Sequence, residues 1–427
     1  MVDTPSLRLP AGMRDFAPRA AAARRRIAET LLGVFEAWGF ARVITPAFEY
    51  EEVLGLGLGS VGRDASLKFV EPSSGRVVAL RPDITPQIAR LIATRFRDEI
   101  GPVRLCYEGT VLRLNKGARS QRELIQAGVE LVGVTSPAGD AEVIALGAEA
   151  LVAAGLDLSH FDLTIDLGHL GLMREILAAL ELSEAASVAM RAAIAKRDPV
   201  AMEDVLRSSR TAPARAGYQA LARFVCALPD FSGEPSVLGV AARQAPTQRI
   251  RRAIADLRDI VKSVEDRSVP ARLHVDLAEV RGFDYYTGVR FQAFVSGAAE
   301  PVLQGGRYDD LLGRYGRANP AVGFAIDVEA AAGALEVAFA ADPRNGTPHE
   351  ADVDAPLLVV GPIDEAVSAA RALRAQGRRA APLLMSMSEP DLAAYASRWG
   401  YREIVRAGEA VAGTTKPRVG KKVLRKS

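Results

Sequence analysis

The stretch Arg281-Gly-Phe-Asp-Tyr-Tyr-Thr-Gly288 concentrates a guanidinium, a carboxylate and two phenols between two glycines. Glycine at each end lets a backbone turn tightly or approach a ligand closely. The apolar run 273–277 before it and the alternating run 289–295 after it read as strands that would hold the polar tips in fixed directions. The stretch is therefore a candidate wall of a small polar-ligand pocket. A structural account serves it equally well: a strand entry with Arg281 and Asp284 solvated and Tyr285 and Tyr286 half-buried.

Two other regions carry polar groups in suggestive places. Asp83 and Thr85 stand two apart where the strand-like run 77–80 turns into a helix, with Thr85 a candidate N-cap before Pro86 at the first helical position. Runs 103–114 and 123–132 flank a polar, basic loop and read as a long antiparallel hairpin that carries Arg113. Period-two alternation places Gln126, Gly128 and Glu130 on one face and Ile125, Ala127, Val129 and Leu131 on the other. A solvent-exposed sheet face would explain the polar side, and helices covering the other would explain its apolarity. If these strands share one sheet, Asp83, Thr85, Arg113, Gln126, Glu130, Arg281, Tyr285 and Tyr286 could surround a zwitterion. Carboxylates and a hydroxyl would take an ammonium, an arginine a carboxylate, and the phenols with the remaining carboxylate a polar ring. Such a site binds an amino acid.

The elements that must position these groups follow from periodicity. Residues 20–38 form a helix ended by Gly39, and Pro46 interrupts a strand-like run over 40–48. Gly55-Leu-Gly-Leu-Gly59 is not a phosphate-binding fingerprint and reads as a flexible connection. Residues 140–151 are helical and 161–167 strand-like, 171–257 are helical without a strand pattern, and strands return over 273–328 with a short helix at 309–315. Beyond 357, strands and helices alternate as a small α/β unit.

The 427 residues exceed one compact core. With 25% charged and 49% hydrophobic residues the composition is that of an ordinary globular protein, and a formal net charge of +2 provides no global field for nucleic acid. The two cysteines and four histidines have no metal-ligand spacing, so no metal is expected. No leader pattern or membrane-spanning apolar run is present in the sequence, which makes a cytoplasmic location the expectation.

Several motifs in order carry a family resemblance: Leu9-Pro-Ala-Gly-Met-Arg-Asp15, Ile44-Thr-Pro-Ala-Phe-Glu49, Leu80-Arg-Pro-Asp-Ile-Thr-Pro-Gln87, Tyr107-Glu-Gly-Thr-Val-Leu-Arg113 with Gln126-Ala-Gly-Val-Glu130, the 281–288 stretch, Gly305-Gly-Arg-Tyr-Asp309 and Ala321-Val-Gly-Phe-Ala325. Over residues 8 to 330 the chain resembles the catalytic core of histidyl-tRNA synthetases, which are class II synthetases. It resembles still more their noncatalytic relatives, the regulatory subunits of ATP phosphoribosyltransferase. The resemblance implies an α+β fold, a six-stranded antiparallel sheet flanked by helices, dimeric through residues 44–49. The expected division is a core of 1–170 and 271–335, a helical insertion over 171–270, a linker over 341–356, a small α/β unit over 357–410 and a basic tail over 411–427. It further implies Asp83, Thr85 and Gln126 near the α-amino group of a histidine, Glu130 and Tyr286 near its imidazole, and Arg281 near its carboxylate. Synthetases usually carry glutamate where Asp83 stands.

Other departures fall on the nucleotide side. Arg113 is kept, but Asn115 replaces a glutamate, Asp327 stands where glycine would let ATP approach, and Ala330 replaces an arginine that would meet the purine and γ-phosphate. Losing that arginine removes both a charge and a planar stacking surface. The C-terminal unit is also shorter than an anticodon-binding domain, so no tRNA partner is expected. The resemblance thus implies a regulatory subunit without catalytic residues or cofactors, which binds L-histidine, joins a short-form catalytic subunit in the first step of histidine biosynthesis and mediates feedback by histidine. The alternative is a divergent histidyl-tRNA synthetase or another histidine-activating ligase.

Overall fold

A computed structural model describes residues 8–99, 101–114, 121–158, 160–208, 217–341 and 355–408. Asn115, nearly all of the expected linker and the whole basic tail lie outside the described residues. The strands are β1 (Ala41–Arg42), β2 (Phe48–Tyr50), β3 (Lys68–Val70), β4 (Val77–Leu80), β5 (Val103–Leu112), β6 (Glu123–Val132), β7 (Thr164–His169), β8 (Ser232–Gly233), β9 (Arg272–Asp276), β10 (Val289–Phe294), β11 (Leu303–Arg307), β12 (Ala321–Asp327), β13 (Leu357–Val360), β14 (Ala380–Pro382) and β15 (Glu403–Arg406). Internal contacts divide the chain into two compact units, one of the chain up to Arg14 with Arg24–Ala338, the other of Asp15–Ala23 with the chain from Phe339.

The larger unit is built on a nine-stranded sheet of order β1-β5-β6-β12-β11-β10-β7-β9-β8. Its middle, from β5 to β7, is the expected antiparallel run. The sheet is wider than expected, because β1 adds in parallel to β5 at one edge while β9, parallel to β7, and the short β8 extend the other. The period-two reading of β6 holds: Ala127, Val129 and Leu131 enter a hydrophobic core with Leu31 and Phe35 of helix Pro18–Ala37 and Ile144 of helix Pro137–Ala153. Phe35 meets Phe324 of β12 edge-on, with ring centroids 5.6 Å apart. The described residues of 170–208 and 217–265 form helices and their connections apart from the edge strand β8, where the sequence showed no strand pattern. Met190, Ile194, Phe224 and Leu257 of these helices are buried in that same core, so the segment packs on the sheet's apolar face.

Three local elements depart from expectation. The run 40–48 splits at Pro46: β1 joins the large sheet and β2 pairs with β4 in a separate three-stranded sheet of order β2-β4-β3. Gly55–Gly59 is no flexible connection, because Glu51–Gly57 is a helix. Leu54 and Leu58 are buried there with Ala79, and a Cβ on Gly57 would lie 2.6 Å from both the Pro86 Cβ and the Tyr315 hydroxyl. The glycines serve close packing, with no phosphate loop involved. The short helix at 309–315 is a 3-10 turn, Leu312–Tyr315.

In the second unit β14-β13-β15 form a parallel sheet. Leu357 and Val359 pack with Ala366, Ala370 and Leu373 on one face, while Leu358 and Val360 pack with Leu392 and Ala396 on the other. Strand alternation thus serves helices on both sides, as in α/β units. Among the described residues no helix is long and apolar enough to cross a membrane.

Candidate ligand-binding site

A cavity of about 590 Å³ opens on the polar face of the large sheet, within the range of small-molecule sites. Its base is fixed by register: Gln126, Gly128 and Glu130 of β6 lie beside Asp327, Ala325 and Gly323 of β12. Asp83, Thr85, Arg113, Gln126, Glu130, Tyr285 and Tyr286 all line it. Three separate stretches therefore converge as the sequence suggested.

Glu130 is the deepest of these groups, 2% exposed. The Tyr107 hydroxyl donates to its Oε1 at 3.2 Å, and the Tyr308 hydroxyl donates to its Oε2. Gly323 makes this possible, because a Cβ there would sit 1.7 Å from Glu130 Oε2. Burial pushes the carboxyl up to about 8, even though hydrogen bonds from Tyr308 and Thr85 pull the other way. Burial, reinforced by the charges of Glu130 and Asp83, pushes the Tyr107 and Tyr285 phenols well above their ordinary value. The site thus keeps a carboxyl and several phenols, all protonated in part or whole at neutral pH.

Aromatic rings shape the slot. Tyr285 meets Tyr286 edge-on at 4.9 Å and Tyr308 at 5.4 Å between centroids. Tyr286 lies flat over Gly306, where a Cβ would come within 2.6 Å of the ring. At the other end Asp83 Oδ1 accepts from the Thr85 backbone N–H at 2.9 Å. Ile84, not Thr85, is therefore the cap of helix Thr85–Arg95. This corrects the capping expectation and leaves the Thr85 hydroxyl 3.5 Å from Tyr107. Gln126 Oε1 is buried at the cavity with no hydrogen-bond partner, an acceptor of the kind a ligand normally satisfies.

Arg281 does not line the cavity. Its backbone N–H, Nε and Nη2 donate to Glu279 at 2.7, 3.0 and 2.6 Å, and the side chain is 57% exposed. Arg290 Nη1 of β10 donates at 2.5 Å to Glu279 Oε2, the same oxygen that accepts from Arg281 Nη2. Burial raises the Glu279 carboxyl, but the hydrogen bonds from Arg281 and the charge of Arg290 outweigh it and leave it below its ordinary value. The left-handed turn at Gly282, φ +74°, carries the chain back to the cavity at Phe283.

On the nucleotide side Asp327 Oδ1 accepts from the Ala330 backbone N–H at 3.0 Å at the start of helix Val328–Ala341. A carboxylate thus borders the cavity at this edge. Tyr107, Tyr308 and Gly323 were not singled out from sequence as ligand contacts. Tyr107 had a usable signal, since it pairs directly with Gly128 and so shares the polar face of β6.

An antiparallel sheet with this polar pocket on one face is the architecture of a class II protein of the histidyl-tRNA synthetase type, and the model of the histidyl-tRNA synthetase family matches residues 12–331. The ATP phosphoribosyltransferase regulatory subunit of Geobacter sulfurreducens is 41% identical over 331 residues, covering 77% of this chain and 73% of that one. That of Syntrophotalea carbinolica is 36% identical over 406 residues, covering 95% and 91%. A solved structure from Bacillus halodurans, described as an ATP phosphoribosyltransferase regulatory subunit/histidyl-tRNA synthetase, superposes with a TM-score of 0.77 at 25% identity, covering 95% and 99%. The chain belongs to the family of ATP phosphoribosyltransferase regulatory subunits, noncatalytic proteins on a synthetase-like fold.

Proposed function

We propose that the cavity binds L-histidine and that the chain conveys feedback inhibition by histidine to a short-form ATP phosphoribosyltransferase catalytic subunit. The two kinds of subunit form a hetero-oligomer in which this chain is required for activity. The observation that carries the reading is buried Glu130, framed by Tyr107 and Tyr308 and flanked by the partnerless Gln126 Oε1. An imidazole inserted between the tyrosines would give Glu130 an N–H donor or, after proton transfer, a cation. Asp83, Thr85 and Gln126 would accept from the α-ammonium.

Two further features support the reading. The Asp327 carboxylate and the alanine at 330 disfavour a bound polyphosphate, so a histidine here meets no nucleotide to react with. Apolar side chains stand out around residues 44–70, with Ile44 86% exposed and Phe48 stacked edge-on against Phe69 at 5.5 Å, which favours a homodimer through this region. Calorimetric titration tests the ligand: L-histidine should bind with micromolar or tighter affinity without ATP. Absence of heat with L-histidine, or histidine-dependent pyrophosphate exchange into ATP, would overturn the proposal, the latter in favour of a histidine-activating enzyme.

A further inference from the structure

With Arg281 committed to Glu279, a zwitterion in this cavity needs its carboxylate partner elsewhere. Arg113 is already engaged: its Nε donates to the Pro82 carbonyl at 2.7 Å, and its Nη2 faces Asp83 Oδ2 at 3.6 Å. Among the described residues, the remaining guanidinium on the cavity lining is that of Arg191.

Arg191 lies on helix Glu184–Ala195, whose Met190 and Ile194 are buried in the core of the large unit. Its guanidinium lies over the Phe283 ring, 4.6 Å from the centroid, while Arg174 covers the same ring at 5.1 Å. The two arginines are held differently. Arg174 Nη2 donates to the Phe283 and Tyr286 carbonyls at 2.9 and 3.1 Å and so pins the turn. Arg191 has a loose partner instead: Nη1 reaches Asp284 Oδ1 at 3.3 Å, and the Asp284 side chain is 81% exposed. Arg191 Nε, like Arg174 Nε, is buried without a hydrogen-bond partner. An exposed ion pair of this kind contributes little and exchanges readily for a less solvated anion. The aromatic face keeps the guanidinium plane oriented while its edge remains available.

We infer that Arg191, not Arg281, receives the ligand's α-carboxylate, so that the helical segment 170–265 contributes directly to ligand selectivity. This rests on the histidine reading above. It also gives ligand occupancy a mechanical consequence, because Arg191 of helix Glu184–Ala195 would exchange its ion pair with Asp284 of the turn at 282–286 for the ligand's carboxylate.

The test compares L-histidine with L-histidinol, which keeps the imidazole and ammonium but has a hydroxymethyl group in place of the carboxylate. In calorimetry the full-length protein should prefer L-histidine, and Arg191→Ala should weaken L-histidine by about ten- to a hundredfold while leaving L-histidinol unchanged. Arg191→Lys should recover part of the preference. Arg281→Ala and Arg113→Ala should retain it, and unchanged L-histidinol binding shows that a variant is folded. A preference that survives in Arg191→Ala, or disappears in Arg281→Ala or Arg113→Ala, overturns the assignment. If the unaltered protein binds neither compound, the histidine reading itself fails, which is distinct from a misassigned carboxylate partner.

Discussion

At the scale of single residues, Glu130 dominates the site because its surroundings favour its neutral form. Its value in the folded chain, about 8, stands above its ordinary 4.5. Between these values the folded protein holds a proton that the unfolded chain has released, so stability falls as pH rises through that window and levels off above it. Glu130→Gln removes the titration and keeps the size. Without ligand, the variant should match the unaltered protein's melting temperature near pH 5 and exceed it near pH 8.5. Parallel curves across that range would show that Glu130 does not titrate this way. The same group sets the pH dependence of binding: between the imidazole's value of about 6.5 and Glu130's of about 8, guest and site together already hold the one proton the pair needs. L-histidine affinity should peak there and fall on both sides.

Much of this chemistry was legible residue by residue, for a physical reason. Strand alternation is strict, so Gln126 and Glu130 had to share a face, and the motif order tied them to Asp83, Thr85, Tyr285 and Tyr286. Arg281 was misleading because its partner is tertiary as well as local. Glu279 lies only two residues upstream, but the carboxylate is held in place by Arg290 from the next strand. Tyr107 and Tyr308 were passed over because a buried tyrosine in a strand reads as core until the acid it serves is located.

At the scale of elements, the pocket depends on the close pairing of β6, β12 and β11. Gly323 is the sharpest case, since an added Cβ would meet Glu130 Oε2 at 1.7 Å and the Val129 carbonyl oxygen at 2.4 Å. Gly323→Ala must therefore displace Glu130 or spread the strands, at a cost of about 1–3 kcal/mol. Urea unfolding should show that loss, and histidine binding should weaken with it. An unperturbed midpoint with normal binding would mean the strands part more easily than their geometry implies. Glycine was also where the sequence was least readable. Alternating glycines at 55–59 suggested a mobile loop, yet the constraint is the closeness of Pro86 and Tyr315, which lie distant in sequence. The alternation of strands and helices in the C-terminal unit was legible because each carries its own apolar period. The edge strands β1 and β8 have two residues each, too few to carry one.

At the scale of the whole molecule, a synthetase-like sheet carries a polar pocket bordered by Asp327, with an alanine at 330 at the start of the following helix. The proposed reading, an amino-acid site without a nucleotide beside it, suits a regulatory subunit better than an enzyme. The helical segment 170–265 reaches the pocket through Arg191, so the scaffold that surrounds the sheet is also in position to register the ligand. The most direct test is an initial-rate assay of a short-form ATP phosphoribosyltransferase catalytic subunit, alone and with this chain, titrated with L-histidine. The account predicts that activity depends on adding the chain, and that L-histidine inhibits the mixture at concentrations that rise at least tenfold when the chain carries Glu130→Gln. Activity indifferent to the chain, or inhibition at the same histidine concentration with Glu130→Gln, would contradict it.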